Sequence, residues 1–230
     1  MATRIDRRTL LAGLAAAPLL PGAALARPAG EPVDLALLMM VDASASISKG
    51  TLAFQLEGHA AAFRHPAVAE AIAGGARGRV AVALAQFAGP DAFATLLPWT
   101  PVHDAADAAR VADAIDAVPG VFMGGSTAIG NAVVQGVRLL DRCPFDAAKR
   151  KIDLVSNGFS NAGVDLPSAR AFADAAGITV NALAILDEYD WLEQYYADGV
   201  IAGDDAFVRT AENRASFAEA FLAKLVTEIA

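Results

Sequence analysis

The stretch LLMMVDASASISKG, residues 37–50, decides the fold. It opens as an unbroken apolar run, which reads as a strand covered on both faces. It then stops on Asp42, Ser44 and Ser46, each two positions from the next. A strand buried on both faces belongs to a mainly parallel sheet, and such sheets bind ligands beyond the carboxyl ends of their strands. Side chains two apart on an extended segment point the same way. The three oxygen-bearing groups are therefore expected to converge at the rim of the sheet.

Outward from this stretch, apolar runs predict strands over residues 33–41, 79–87, 95–102, 151–156, 178–186 and 206–209. The third carries Pro98 and Pro101. Proline cannot donate to a ladder, so this strand belongs at an edge, as the one antiparallel member. Helical spacing predicts helices over 51–63, after Pro66, over 104–118, 128–140 and 168–176, within 189–200, and over 216–229. Ser216 and Glu219 stand three apart and read as a capping box for the last. Alternating strands and helices give an α/β fold, doubly wound, with helices on both faces of a mainly parallel sheet.

The chain has 230 residues, enough for one domain with a full core, placed at 33–230 after a linker at 27–32. Residues 1–26 read as a cleavable export signal: a basic start, an apolar stretch, and small residues at Ala24 and Ala26. Arg7 and Arg8 before Thr-Leu-Leu point to the twin-arginine route, with a Sec signal as the alternative. Pro18 and Pro21 interrupt the apolar stretch, and no later segment is long enough to span a membrane. Cleavage near Ala26 leaves a periplasmic or otherwise exported chain with 15 basic and 25 acidic residues, near −10. That charge disfavours nucleic acid and anionic membranes as partners. Cys143, the one cysteine, excludes an internal disulfide and reads as a small core or loop residue.

Asp42, Ser44 and Ser46 offer hard oxygens, which suit Mg²⁺, Mn²⁺ or Ca²⁺ and suit zinc or copper poorly. Thr127, in the glycine loop GGSTAIG, and Asn157, in SNG after a buried strand, are candidates to join them. The pattern D-x-S-x-S, then G-x-T-x-x-G (Gly125, Thr127, Gly130), then Asn157–Gly158 resembles the von Willebrand factor A domain. The resemblance implies a metal-ion-dependent adhesion site built from these loops, with a partner's Asp or Glu completing the coordination. More narrowly, AQFAGP, PWT, GSTAIGNAV, GITVNALAIL, YYADGVIAGDDAFV and FAEAFLAKLVTEIA resemble a bacterial exported family of unknown function with this fold. One departure stands out: the adhesion-site pattern has aspartate where this chain has Asn157. The missing charge is expected to cost about 1–4 kcal/mol of metal affinity, which makes the site a degenerate one.

Other features read more plainly. His59, His65 and His103 lack metal-ligand spacing and are expected to be surface or half-buried residues. Asn157–Gly158 is a sequence prone to deamidation, unless a rigid loop suppresses it. The run DEYDWLEQYY either forms a rim with Tyr189, Trp191 and Tyr195 as contact anchors, or lays an aromatic helix face on the sheet. No G-x-S-x-G elbow, phosphate loop or dinucleotide fingerprint is present. The sequence therefore points to a metal-dependent protein-binding module rather than an enzyme. The alternatives are a metal-free interaction or structural protein that keeps the fold and, less favoured, a metal-assisted hydrolase.

Overall fold

A computed structural model describes residues 30–121 and 123–230. The expected export signal lies outside the described residues. Strand β1 (Pro32–Asp42) is central in a six-stranded sheet of order β3-β2-β1-β4-β5-β6. β2 (Val80–Phe87) and β4 (Asp146–Ser156) flank it in parallel. β5 (Thr179–Ile185) and β6 (Val208–Ala211) continue the parallel order outward from β4. β3 (Phe93–Val102) is antiparallel at the edge, and its two prolines sit where a lost ladder donor costs least.

The alternation of β1 assigns its residues to two cores. Leu35, Leu37, Met39 and Val41 face α1 (Lys49–Arg64), α2 (Pro66–Gly74), α3 (Ala105–Asp116) and α7 (Arg214–Ile229). Ala36, Leu38 and Met40 face α4 (Ile129–Leu140), α5 (Leu166–Ala175) and α6 (Leu192–Gly199). The chain leaves β1 toward β2 and β3, then crosses back to β4. The topological switch therefore lies between β1 and β4, where a crevice is expected. Among the described residues no helix is long and apolar enough to cross a membrane.

Three elements differ from the sequence reading. β4 begins at Asp146 rather than Lys151, because its polar first half pairs with β1 before β5 joins at Lys151. Hydrogen bonding to β1, not burial, holds that half extended. β6 is Val208–Ala211 rather than 206–209, its entry held by Phe207 N–H donating to Asn181 Oδ1 at 3.0 Å. The capping box of α7 is Asn213 with Ser216, not Ser216 with Glu219. Asn213 Oδ1 accepts from the Ala215 and Ser216 amides at 2.8 and 3.2 Å, and Ser216 Oγ accepts from Asn213 N–H at 3.2 Å. Serine here is the reciprocal partner of the cap rather than the cap.

His59 corrects the expectation of a surface histidine. It is fully buried, its ring centre lies 3.8 Å from that of Phe221 with the planes tilted by 36°, and it donates from Nδ1 to the Gln55 carbonyl at 2.7 Å. Burial lowers its pKa to about 4, so the ring is neutral at pH 7. Nearby, fully buried Lys224 bonds Asp153 on β4 and Glu228 Oε1, the latter at 2.6 Å. Asn181 Nδ2 donates to the same Glu228 oxygen at 2.8 Å. Lys224 thus lies level with Asp153, paired to Met39, and Glu228 nearer Lys151, paired to Leu37. Helix α7 therefore descends toward the end of the sheet where β1 begins.

Candidate metal centre

Asp42 ends β1 and Ser156 ends β4, side by side at the switch. Ser156 Oγ donates to Asp42 Oδ2 at 2.5 Å, and Ser44 N–H donates to Asp42 Oδ1 at 2.7 Å. The second bond closes a turn of the Asx type. The Ile47 amide then donates to the Ser44 carbonyl at 2.9 Å. Ser44 and Ser46 consequently lie in a turn beyond the strand, and this turn, not the alternation of an extended segment, brings their hydroxyls together.

The second loop is fastened to the first by backbone bonds. Ala45 N–H donates to the Gly125 carbonyl and Gly124 N–H to the Ala43 carbonyl, both at 3.1 Å. Gly124 and Gly125 have φ of 65° and 80°, a left-handed conformation that glycine adopts without strain. Thr127 emerges from this turn, just before α4. Its amide donates to Asn161 Oδ1, and its carbonyl accepts from Asn161 N–H, each at 2.9 Å. Asn161 thereby ties the second loop to the third.

The side-chain oxygens of the three loops meet. Thr127 Oγ1 donates to Ser44 Oγ at 2.9 Å, Ser44 Oγ lies 3.4 Å from Ser46 Oγ, and Ser46 Oγ donates to Asn157 Oδ1 at 3.2 Å. Asp42, Ser44, Thr127 and Asn157 are buried, whereas Ser46 is exposed, so the group opens to solvent on the Ser46 side. Burial pushes the Asp42 carboxyl above its usual range, against hydrogen bonds from Ser156 and Ser44 that pull it down. Asp153 is held by Lys224 in the core and takes no part.

The donor set fits a small hard cation. Neighbouring ligands of an octahedral ion are separated by the bond length times √2, about 2.9 Å for Mg²⁺ and roughly 3.3–3.6 Å for Ca²⁺. The three separations above fall in that span. Ser44, Ser46 and Thr127 would hold the ion, with Asp42 and Asn157 directly or through water. Among the described residues no three His, Cys, Asp or Glu side chains cluster as a metal cage, so hydroxyl and amide oxygens would have to do this work.

Two partners of the site were missed in the sequence. Ser156 reads in the sequence as the end of a strand; it follows Val155, which the register sets opposite Val41, and so falls beside Asp42. Asp187, in the turn after β5, accepts from Asn157 Nδ2 at 3.3 Å. The deamidation-prone pair is restrained: Asn157 is 1% exposed, and Gly158 N–H, the attacking group in that reaction, is engaged with Ser156 Oγ at 3.0 Å.

The aromatic run is divided between the inside and the surface. Tyr196 packs inward, its hydroxyl donating to the Gly158 carbonyl at 2.6 Å. Trp191 is 45% exposed, with Tyr189, Phe159 and Tyr195 at ring separations of 5.2, 5.6 and 5.8 Å. The Tyr195 hydroxyl accepts from Ser160 N–H at 3.1 Å, which fixes this rim to the third loop.

Comparison with known proteins agrees with this architecture. Proximal thread matrix protein 1 from the mussel byssus, in a structure with a zinc-occupied MIDAS motif, matches at 19% identity and a TM-score of 0.61 over 87% of this chain and 48% of its own. A von Willebrand factor type A protein from Catenulispora acidiphila matches at 16% identity and a TM-score of 0.60, over 86% and 43%. The pilus adhesin SpaC of Lactobacillus rhamnosus GG matches at 16% and 0.59, over 88% and 32%. The fold is thus of the von Willebrand factor A type, and this chain spans less than half the length of each of these proteins. No curated protein matches by sequence. A family model described as Protein of unknown function (DUF1194) matches residues 32–230.

Proposed function

Since the chain belongs to the family described as Protein of unknown function (DUF1194), we propose its role from the site itself: an exported, periplasmic binding module that captures an acidic side chain of a protein partner through a divalent cation. The observation that carries this reading is the spacing of the Ser44, Ser46, Thr127 and Asn157 oxygens, which matches the edges of an octahedron. The named MIDAS motif of the mussel protein, on a similar fold, supports it. With Asp42 as the one acid among these ligands, a bound Mg²⁺, Mn²⁺ or Ca²⁺ keeps net positive charge. The chain itself carries a net charge of −8, and a bound cation would supply local attraction for a partner's Asp or Glu. Trp191, exposed beside Tyr189 and Tyr195, supplies a flanking apolar contact.

Thermal melts with Mg²⁺, Mn²⁺ or Ca²⁺ against EDTA test the reading. A ligand of the folded state at a hundredfold its Kd stabilises by about 2.7 kcal/mol. The native chain should gain on that scale, and Thr127→Val should lose the response while still folding. Asn157→Asp should tighten Mg²⁺ binding tenfold or more. A second reading has its own support: the hydroxyls already satisfy one another, as a metal-free interaction protein would require. Melts unmoved by any of the three cations select it. A metal-assisted hydrolase is less well supported, because Asp42 is engaged by Ser44 and Ser156 and leaves no evident general base.

A further inference from the structure

We propose that Asp187 is the second anion of this site, acting through Asn157; the inference rests on the cation reading above. A carboxylate only accepts hydrogen bonds, whereas a hydroxyl donates or accepts. The Asn157 amide sits between the two, with Asp187 Oδ1 3.3 Å from its nitrogen and Ser46 Oγ 3.2 Å from its oxygen. Only one orientation satisfies both neighbours: the nitrogen toward Asp187 and the oxygen toward Ser46. Without Asp187 the amide is free to turn over, since Ser46 accepts from an N–H as readily as it donates to a carbonyl. A turned amide presents hydrogens to the cation and repels it. Asp187 thus positions a neutral ligand, oxygen inward.

It also supplies charge. Asp42 is the one buried carboxylate at the meeting of the three loops. The Asp187 carboxylate stands one amide's width behind the ligand oxygens, on the turn anchored by Leu186 N–H donating to the Ala211 carbonyl at 2.9 Å. The acid that the third loop lacks is therefore present in space, carried by the turn after β5. Asp187 is exposed, so its effect is screened by salt in a way that a buried ligand's is not.

The test is a calorimetric titration of the full chain with Mg²⁺ and Mn²⁺, at low and high salt. It uses Asp187→Asn, Asp187→Ala, Asp187→Glu and, as a control for charge in the same turn, Glu188→Gln. Asp187→Asn keeps a hydrogen-bond acceptor and loses the charge; its Kd should rise roughly tenfold at low salt, the gap narrowing at high salt. Asp187→Ala should be weaker still, since the amide is released. Asp187→Glu and Glu188→Gln should stay within about twofold of the native chain, and melts in EDTA should show every variant folded. Native-like binding by both Asp187→Asn and Asp187→Ala overturns the inference and leaves the cation reading standing. A native chain that binds neither metal, and whose melts Ca²⁺ also leaves unmoved, overturns both.

Discussion

At the scale of single residues, the site was legible as chemistry more than as geometry. Asp42, Ser44, Ser46, Thr127 and Asn157 could be picked out because their oxygens stand in three loops whose order resembles the von Willebrand factor A pattern. Ser156 and Asp187 could not, because each matters through a contact made across the sheet or from a separate turn. His59 escaped for a related reason: an imidazole is read as polar, whereas here the ring packs on Phe221 and spends one nitrogen on its own helix. Ser156→Ala should leave Asp42 Oδ2 buried without its donor, at a cost of about 1–3 kcal/mol in urea unfolding. That loss should appear in EDTA as well as in metal, which separates it from the Asp187 effect.

At the scale of elements, strands and helices were readable wherever periodicity and burial coincide, and bounds slipped where hydrogen bonding alone decides. The polar half of β4 and the start of α7 are the two examples. Asn213→Ala removes the α7 cap and should cost about 1 kcal/mol, with Glu219→Ala close to neutral; paired unfolding curves check both. Helix α4 passes the loop before α5 so closely that a Cβ on Gly130 would lie 2.0 Å from the Val164 carbonyl oxygen. Gly130→Ala must push that backbone away and should destabilise by about 1–3 kcal/mol or more. Because α4 carries the loop that holds Thr127, the same variant should also weaken the response to Mg²⁺.

At the scale of the whole molecule, the doubly wound order was foreseeable from the alternation of elements, while the charges inside it were not. One lysine serves two buried acids, and Glu228, buried and beside Asp153, has its pKa raised from 4.5 to about 8. A raised acid holds its proton in the fold where the unfolded chain has lost it, so its contribution falls as pH rises from 4.5 to about 8. His59, lowered from 6.5 to about 4, acts in the opposite sense, its contribution falling as pH drops through that window. The two nearly cancel between about pH 4.5 and 6.5 and leave a decline above 6.5. Denaturation midpoints of Glu228→Gln across pH should lack that alkaline decline and uncover the acid-side loss due to His59. The direction of α7 has a practical corollary. Strand β1 starts, and α7 finishes, at the pole away from the Ser46 opening. A sensor chip, bead or fluorescent protein coupled through residue 230 will hold the Ser46 opening outward, so immobilised chain can be used to look for the proposed partner without covering the proposed site.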